Sequence, residues 1–199
     1  MAHAVATSWN SGPMPNRGQQ MCTLLLSGGI DSAFVAHLLL EQGWSVEALW
    51  IDYGQSAARA EERSSKKIAS HYDLPWRRAS VAGLTIPKDG EIRGRNDLLL
   101  SLAAASHACH SIAMGVHAGT DYADCSPPWA EAWQDLLDSQ HHGSLRLVTP
   151  LLSLNKGEIL DLCKAAHVPV QMTHSCERSD VACGECLSCM DREHLHVGS

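Results

Sequence analysis

Two clusters in this chain carry residue types at spacings that suit chemistry. One is Ser27-Gly28-Gly29-Ile30-Asp31-Ser32; the other is Cys176, Cys183, Cys186 and Cys189, spaced C-x6-C-x2-C-x2-C. In the first, the glycines let backbone approach a ligand closely and the serines add hydroxyl donors. An apolar run lies on each side, so the six residues read as a turn from strand into helix, where unpaired N–H groups favour an anion. Walker spacing and its lysine are missing, so a nucleotide phosphate would be held in another way. Asp31 beside phosphates calls for a bridging Mg²⁺, a hard cation that takes oxygen ligands. Taken alone, Ser-Gly-Gly reads equally well as a plain tight turn with a helix cap.

The four spaced cysteines lie in Thr173 to Arg192, a stretch with too few large apolar side chains to fold by burial. Four thiolates around tetrahedral Zn²⁺ would order it, since structural zinc contributes roughly 10 to 16 kcal/mol in small peptides. With no open coordination position such a metal is structural. The x2 spacing also resembles part of an iron–sulfur run, although the fourth cysteine lies upstream and no proline follows the last. A free redox cluster is a third reading, and His174 is a competing ligand. Gly184 suits the tight turn between ligands. Cys22, Cys109 and Cys163 sit in apolar stretches and read as small buried hydrophobes.

The chain has 199 residues, 45% hydrophobic and 19% charged, which fits one domain with a sizeable core. A formal net charge of −7 speaks against a general nucleic-acid coat, which needs a basic face. No apolar run approaches the roughly 18 residues of a membrane span, and no signal-peptide pattern opens the chain. The expected location is the cytoplasm.

Five strands position the two clusters. Residues 1–20 read as a disordered tail. Strands are predicted over Met21 to Leu26, Ser45 to Ile51, Trp76 to Val81, Ile112 to Val116 and Leu145 to Thr149. Helices are predicted after the first turn, over Ser56 to His71 with a mostly wet charged face, from Arg95 through Cys109 with Asn96 or Asp97 as cap, from Pro127, and over Lys156 to Ala166. Alternating strand and helix imply an α/β fold, a doubly wound five-stranded parallel sheet with ligands at the strands' carboxyl ends. The expected organisation is a catalytic domain over 21–169 and a zinc-binding segment of the same domain over 170–199. Four polar segments fall where they can converge on one crevice: Ser27 to Ser32, Asp52 to Gln55, Arg95-Asn96 and His117 to Cys125.

The Ser27 to Ser32 turn resembles the pyrophosphate loop of the N-type ATP pyrophosphatases. Further matches extend that likeness: Asp52-Tyr53-Gly54-Gln55, Gly94-Arg95-Asn96, Asp121-Tyr122, Asp124-Cys125, Thr149-Pro150-Leu151, Lys156-Gly157-Glu158-Ile159, and the four cysteines closing on Asp191-Arg192. Together, over roughly residues 21 to 193, the chain resembles the 7-cyano-7-deazaguanine synthase family of the queuosine pathway. That resemblance implies a Rossmann-like fold and an ATP-dependent carbon–nitrogen ligase that converts 7-carboxy-7-deazaguanine and ammonia to the nitrile. It implies ATP, Mg²⁺ and structural Zn²⁺. Leu26, Ser27, Gly28, Gly29, Ile30, Asp31 and Ser32 would hold pyrophosphate and Mg²⁺, with Tyr53 and Gln55 near the nucleotide. Asp31, Arg95 and Lys156 would be the catalytic set, and Asn96, Asp121, Asp124 and Cys125 would meet the deazapurine.

The chain departs from the family pattern on the substrate side. Ser126 follows Cys125 where the family has an arginine, His117 replaces the usual asparagine, and the Val81 to Gly94 loop is trimmed. A second activity implied by resemblance is therefore that of phage-defence enzymes joining a deazaguanine to a partner protein. A thiolating or amidating ATP pyrophosphatase with another substrate is a further option. A different class is a non-catalytic nucleotide-binding module with a zinc interaction segment. A homodimer also stays open.

Overall fold

The computed structural model describes residues 21–87, 92–106, 109–117, 119–120 and 122–196, without the side chains of 194–196. The expected tail at 1–20 and the predicted substrate residue Asp121 lie outside these. The chain runs β1 (Met21–Leu25), α1 (Ile30–Glu41), β2 (Ser45–Asp52), α2 (Ala58–His71), β3 (Trp76–Ser80), α3 (Arg95–Ser106), β4 (Ser111–Ala113), α4 (Pro127–His141), β5 (Arg146–Val148), α5 (Lys156–Ala165) and α6 (Leu187–His196). Single 3-10 turns occupy Ala123–Cys125 and Val170–Met172.

All five strands pair in parallel in the order β3-β2-β1-β4-β5. The order reverses between β1 and β4, which opens the crevice where α/β sheets bind ligands. β1 is buried on both faces apart from Met21, as a central parallel strand must be. Successive residues feed two cores. Leu24 packs with Phe34, Leu39, Ile68 and Ile159 on the side of α1, α2 and α5, whereas Leu25 packs with Leu100, Ile112 and Leu137 on the side of α3 and α4. These apolar side chains make the sheet a rigid floor for whatever loops rise from its carboxyl edge.

Local signals set several helix starts. Asn155 and Glu158 form a capping box, with Glu158 N–H donating to Asn155 Oδ1 at 3.0 Å and Asn155 N–H to Glu158 Oε2 at 2.8 Å. That box fixes Lys156 at the first position of α5. Ser126 caps α4 by accepting from Trp129 N–H, with Pro127 and Pro128 at the first two positions.

The structure corrects the expectation for α3. Neither Asn96 nor Asp97 caps it, because both lie inside the helix and are used elsewhere. Asn96 N–H donates to Asp124 Oδ2 at 3.2 Å, and Asp97 Oδ1 accepts from the indole N–H of both Trp129 and Trp133 at 2.6 Å. The helix also ends at Ser106, before Cys109, which is half-buried ahead of β4 rather than fully buried. β4 is shorter than expected. After Ala113, Met114 N–H still reaches β5 at Val148 O, and Gly115 lies against the start of α1. Arg77 and Arg78 fit an edge strand because each reaches a neighbour on β2: Arg77 Nε lies 2.6 Å from Glu47 and Arg78 Nη2 2.5 Å from Asp52.

Candidate functional site

The turn after β1 is built around its own hydroxyls. Gly29 N–H donates to Ser27 Oγ, Ser27 and Ser32 hydroxyls lie 3.2 Å apart, and Ser32 Oγ donates to Gly29 O at 3.0 Å. No side chain caps α1. The N–H groups of its first turn therefore face the crevice without an intrahelical acceptor, an arrangement suited to a phosphate. Gly28 has φ +93°, and a Cβ there would lie 2.6 Å from Glu61 O and 2.9 Å from Ser65 N. Only glycine lets the loop lie against the backbone of α2. Leu26 and Ile30, which flank the loop, are buried and contribute backbone rather than side chain.

Asp31 opens toward α5. Lys156 Nζ lies 2.7 Å from Asp31 Oδ1 and 2.8 Å from Oδ2, holding both carboxylate oxygens at once. A Mg²⁺ placed on Asp31 requires this ammonium to withdraw, for which phosphate oxygens would be the natural new partner. Beside the pair sits His117, 8% exposed, whose Nδ1 accepts from Gly119 N–H. Burial lowers its pKa, the charges of Asp31 and Asp191 oppose that, and Lys156 adds to it. A neutral ring accepting at Nδ1 carries its proton on Nε2.

A second set of groups lines a cleft beyond the ends of β2 and α3: Tyr53, Gln55, Glu61, Arg95, Asp124 and Glu177. Gln55 bridges the strand end to α2, donating to Ile51 O at 3.1 Å and to Glu61 Oε2 at 2.7 Å. Burial raises the pKa of Glu61, opposed by that bond and by Arg95. Burial also raises that of Tyr53. Burial works against the charge of Arg95, but its hydrogen bond with Tyr53 and the carboxylates of Asp124 and Glu177 outweigh this. Behind the cleft Asn96, 3% exposed, donates to Asp124 O at 2.9 Å and to Cys125 Sγ at 3.5 Å. The thiol pKa of Cys125 is raised by burial, so it sits as a neutral packing group.

The cysteine segment closes the site. The four Sγ atoms of Cys176, Cys183, Cys186 and Cys189 all lie within 4.8 Å of one another. Zn–S bonds near 2.3 Å in a tetrahedron demand sulfurs about 3.8 Å apart, and Cys183 and Cys189 are separated by 3.9 Å. The N–H groups of Glu185 and Cys186 point at Cys183 Sγ at 3.5 and 3.4 Å and lower its pKa, which favours the thiolate a metal needs. The donor set fits zinc. His174 is not among these ligands: its Nε2 pairs with Ser179 O at 3.0 Å. Its backbone N–H donates to Gly28 O at 2.8 Å, which fastens the segment to the Ser27 to Ser32 turn. Asp180 accepts from Ala60 N–H, and Arg192 binds Thr173 O and Val170 O at 2.9 Å each.

The sequence-predicted residues thus fall into two adjoining groups, one around Asp31 and Lys156 and one around Tyr53, Gln55, Arg95 and Asp124. Glu61 and Glu177 were missed. Glu61 sits on a helix whose charges read as a wet face, and Glu177 is marked only by its place beside Cys176.

The chain matches the family model described as queuosine biosynthesis protein QueC over residues 21–86 and 82–197. It is 32% identical over 202 residues to a 7-cyano-7-deazaguanine synthase of Prochlorococcus marinus, with 85% of this chain and 90% of the relative covered. To one of Methanospirillum hungatei it is 34% identical over 197 residues, covering 83% and 89%. Among solved structures, a predicted tRNA methyltransferase subunit of Methanocaldococcus jannaschii superposes with TM-score 0.53 at 14% identity, covering 78% of this chain and 92% of that one. The NMN synthetase of Francisella tularensis gives 0.52 at 18% identity, covering 86% and 71%. At such identities these two speak for the fold alone. With the family model covering nearly every described residue, and two curated relatives matched along most of their length, this chain belongs to the queuosine biosynthesis protein QueC family.

Proposed function

We propose that the protein is an ATP-dependent carbon–nitrogen ligase that adenylates the carboxylate of 7-carboxy-7-deazaguanine and, with ammonia, forms 7-cyano-7-deazaguanine. The observation that carries this reading is the shared crevice. The anion-ready turn at Ser27 to Ser32 and the cleft holding Arg95 are joined by one segment, which bonds Gly28 through His174 and lends Glu177 to the cleft.

A carboxylate is a poor electrophile, and positioning is most of the catalysis required. Its oxygen attacks the α-phosphorus of ATP and pyrophosphate departs. Ammonia then adds at the acyl carbon and AMP leaves, giving the amide. A second adenylation, now on the amide oxygen, and loss of AMP and a proton give the nitrile. Lys156 and the α1 N–H groups would take the growing charge on the leaving pyrophosphate, and Asp31 would hold the Mg²⁺ that travels with ATP. Ser126 is spent as the cap of α4, which leaves Arg95 as the guanidinium lining the cleft to receive the substrate carboxylate. Cys176, Cys183, Cys186 and Cys189 would hold Zn²⁺ as a purely structural ion.

The test is incubation with ATP, Mg²⁺, 7-carboxy-7-deazaguanine and ammonium, reading nitrile by mass spectrometry and AMP by chromatography. Two AMP per nitrile are expected. ATP consumption that ignores the deazaguanine carboxylate overturns the reading. Consumption that needs a protein amine in place of ammonium would favour a partner protein as acceptor.

A further inference from the structure

The cysteine segment gives the cleft one of its carboxylates. Glu177 follows the metal-ligand candidate Cys176, and its Oε1 accepts from Ser188 Oγ at 2.7 Å, a hydroxyl one residue before Cys189. The bond ties the two ends of the cysteine cluster together through a side chain that lines the cleft. Glu177 is therefore aimed by the same fold that gathers the sulfurs.

Among the described residues that line the cleft, three carboxyl groups, Glu61, Asp124 and Glu177, accompany one guanidinium, Arg95. Glu61 is engaged by Gln55 and Asp124 by the N–H of Asn96. Glu177 instead stands on the solvent-exposed wall contributed by the segment, in the field of Arg95 and with one hydroxyl bond among those described. A ligand that complements such a wall presents several N–H donors side by side, as an amidine-like ring edge with an exocyclic amine does. A carboxylate reads such an edge strongly, because charged acceptors strengthen the bonds and loss of one donor leaves part of the site unpaired.

We infer that Glu177 is a specificity-determining residue that accepts from the donor edge of the heterocycle, positioned for this by Ser188 of the metal-binding segment. The inference rests on the functional reading above and deepens it. The metal segment becomes a wall of the substrate site as well as a staple.

Calorimetric binding tests it on the metal-loaded protein, with 7-deazaguanine and 7-deazahypoxanthine as probes, the second lacking only the exocyclic amine. Wild type should prefer the amine-bearing ring by about tenfold or more. Glu177→Gln should bring the two affinities within about threefold while leaving AMP affinity and bound metal unchanged. Ser188→Ala should keep full metal and lose part of the preference, because the carboxylate stays but is less well aimed. An unaltered preference in Glu177→Gln overturns the inference and leaves the ligase reading standing. A rise in the ammonium requirement alone, with the ring preference kept, overturns it too by assigning Glu177 to the amine. Failure of wild type to bind either ring while it binds AMP overturns both readings.

Discussion

The Asp31–Lys156 pair offers the sharpest handle on how the free site differs from the nucleotide-bound one. Its two side chains are 25% and 22% exposed, and one ammonium contacts both carboxylate oxygens. Exposed ion pairs contribute roughly 0 to 1 kcal/mol, whereas breaking a fully buried one costs about 3 to 5 kcal/mol. For this intermediate burial we expect a coupling of about 1 to 2 kcal/mol in a double-mutant cycle of Asp31→Asn and Lys156→Met. Urea midpoints of the four proteins would supply it. Saturating Mg²⁺ and a non-hydrolysable ATP analogue should bring the coupling below about 0.5 kcal/mol, since each group then finds its own phosphate or metal partner. Lys156→Met should also slow adenylation by about 10² to 10³, the usual loss for one group that stabilises developing charge. A coupling that nucleotide leaves untouched, with adenylation at wild-type rate, would show that the pair merely fastens α1 to α5, and the reasoning would fail.

Other expectations concern the loop, the histidine and the cysteines. Gly28→Ala should destabilise by about 2 to 4 kcal/mol, from a positive φ and a Cβ driven into the α2 backbone, and weaken nucleotide binding. Gly29→Ala, whose Cβ would lie 3.4 Å from Ser27 Oγ, should melt near wild type; equal melting of both variants would contradict the packing argument. His117 is buried with its pKa lowered, so on acidification the unfolded chain takes up its proton first, from about pH 6.5 downward. Stability should therefore fall as pH drops through that point toward the lower folded value, with Asp31, Lys156 and Asp191 around the ring. Replacement by Asn should flatten the fall, and an identical pH profile of thermal melts would refute it. Cys186→Ser should lose bound zinc by elemental analysis and expose the segment to protease; full metal content would remove Cys186 from the ligand set.

Much of this architecture could be read before any coordinates. Mostly apolar runs at Met21 to Leu26 and Ser45 to Ile51, short and followed by turn residues, favour buried strands, and the cysteine spacing is local arithmetic. The Asn155 and Glu158 box is equally local, which is why the start of α5 falls where it was expected. What escaped depends on residues far apart in the chain. Asp31 and Lys156 stand 125 positions apart, and no pattern in either neighbourhood announces the other. Asp97 looked like a helix cap because its type suits one, yet two indoles 32 and 36 positions away claim it. Glu61 is the same error in reverse. A helix face rich in charge averages as solvent-facing, and only the sheet's geometry shows that this one carboxyl turns inward to Gln55. Arg77 and Arg78 suit the third strand because it is the edge, where long cations can lie along β2.

The bond from His174 N–H to Gly28 O also orders events during synthesis. A ribosome adding roughly 5 to 20 residues per second delivers every strand of the sheet seconds before it delivers this clasp. Until then the Ser27 to Ser32 turn lacks its backbone partner and the cleft lacks Glu177. A nascent chain in that interval can bury its core while its crevice stays incomplete, so whatever orders the four-cysteine stretch would set when the oldest stretch gains its last neighbour.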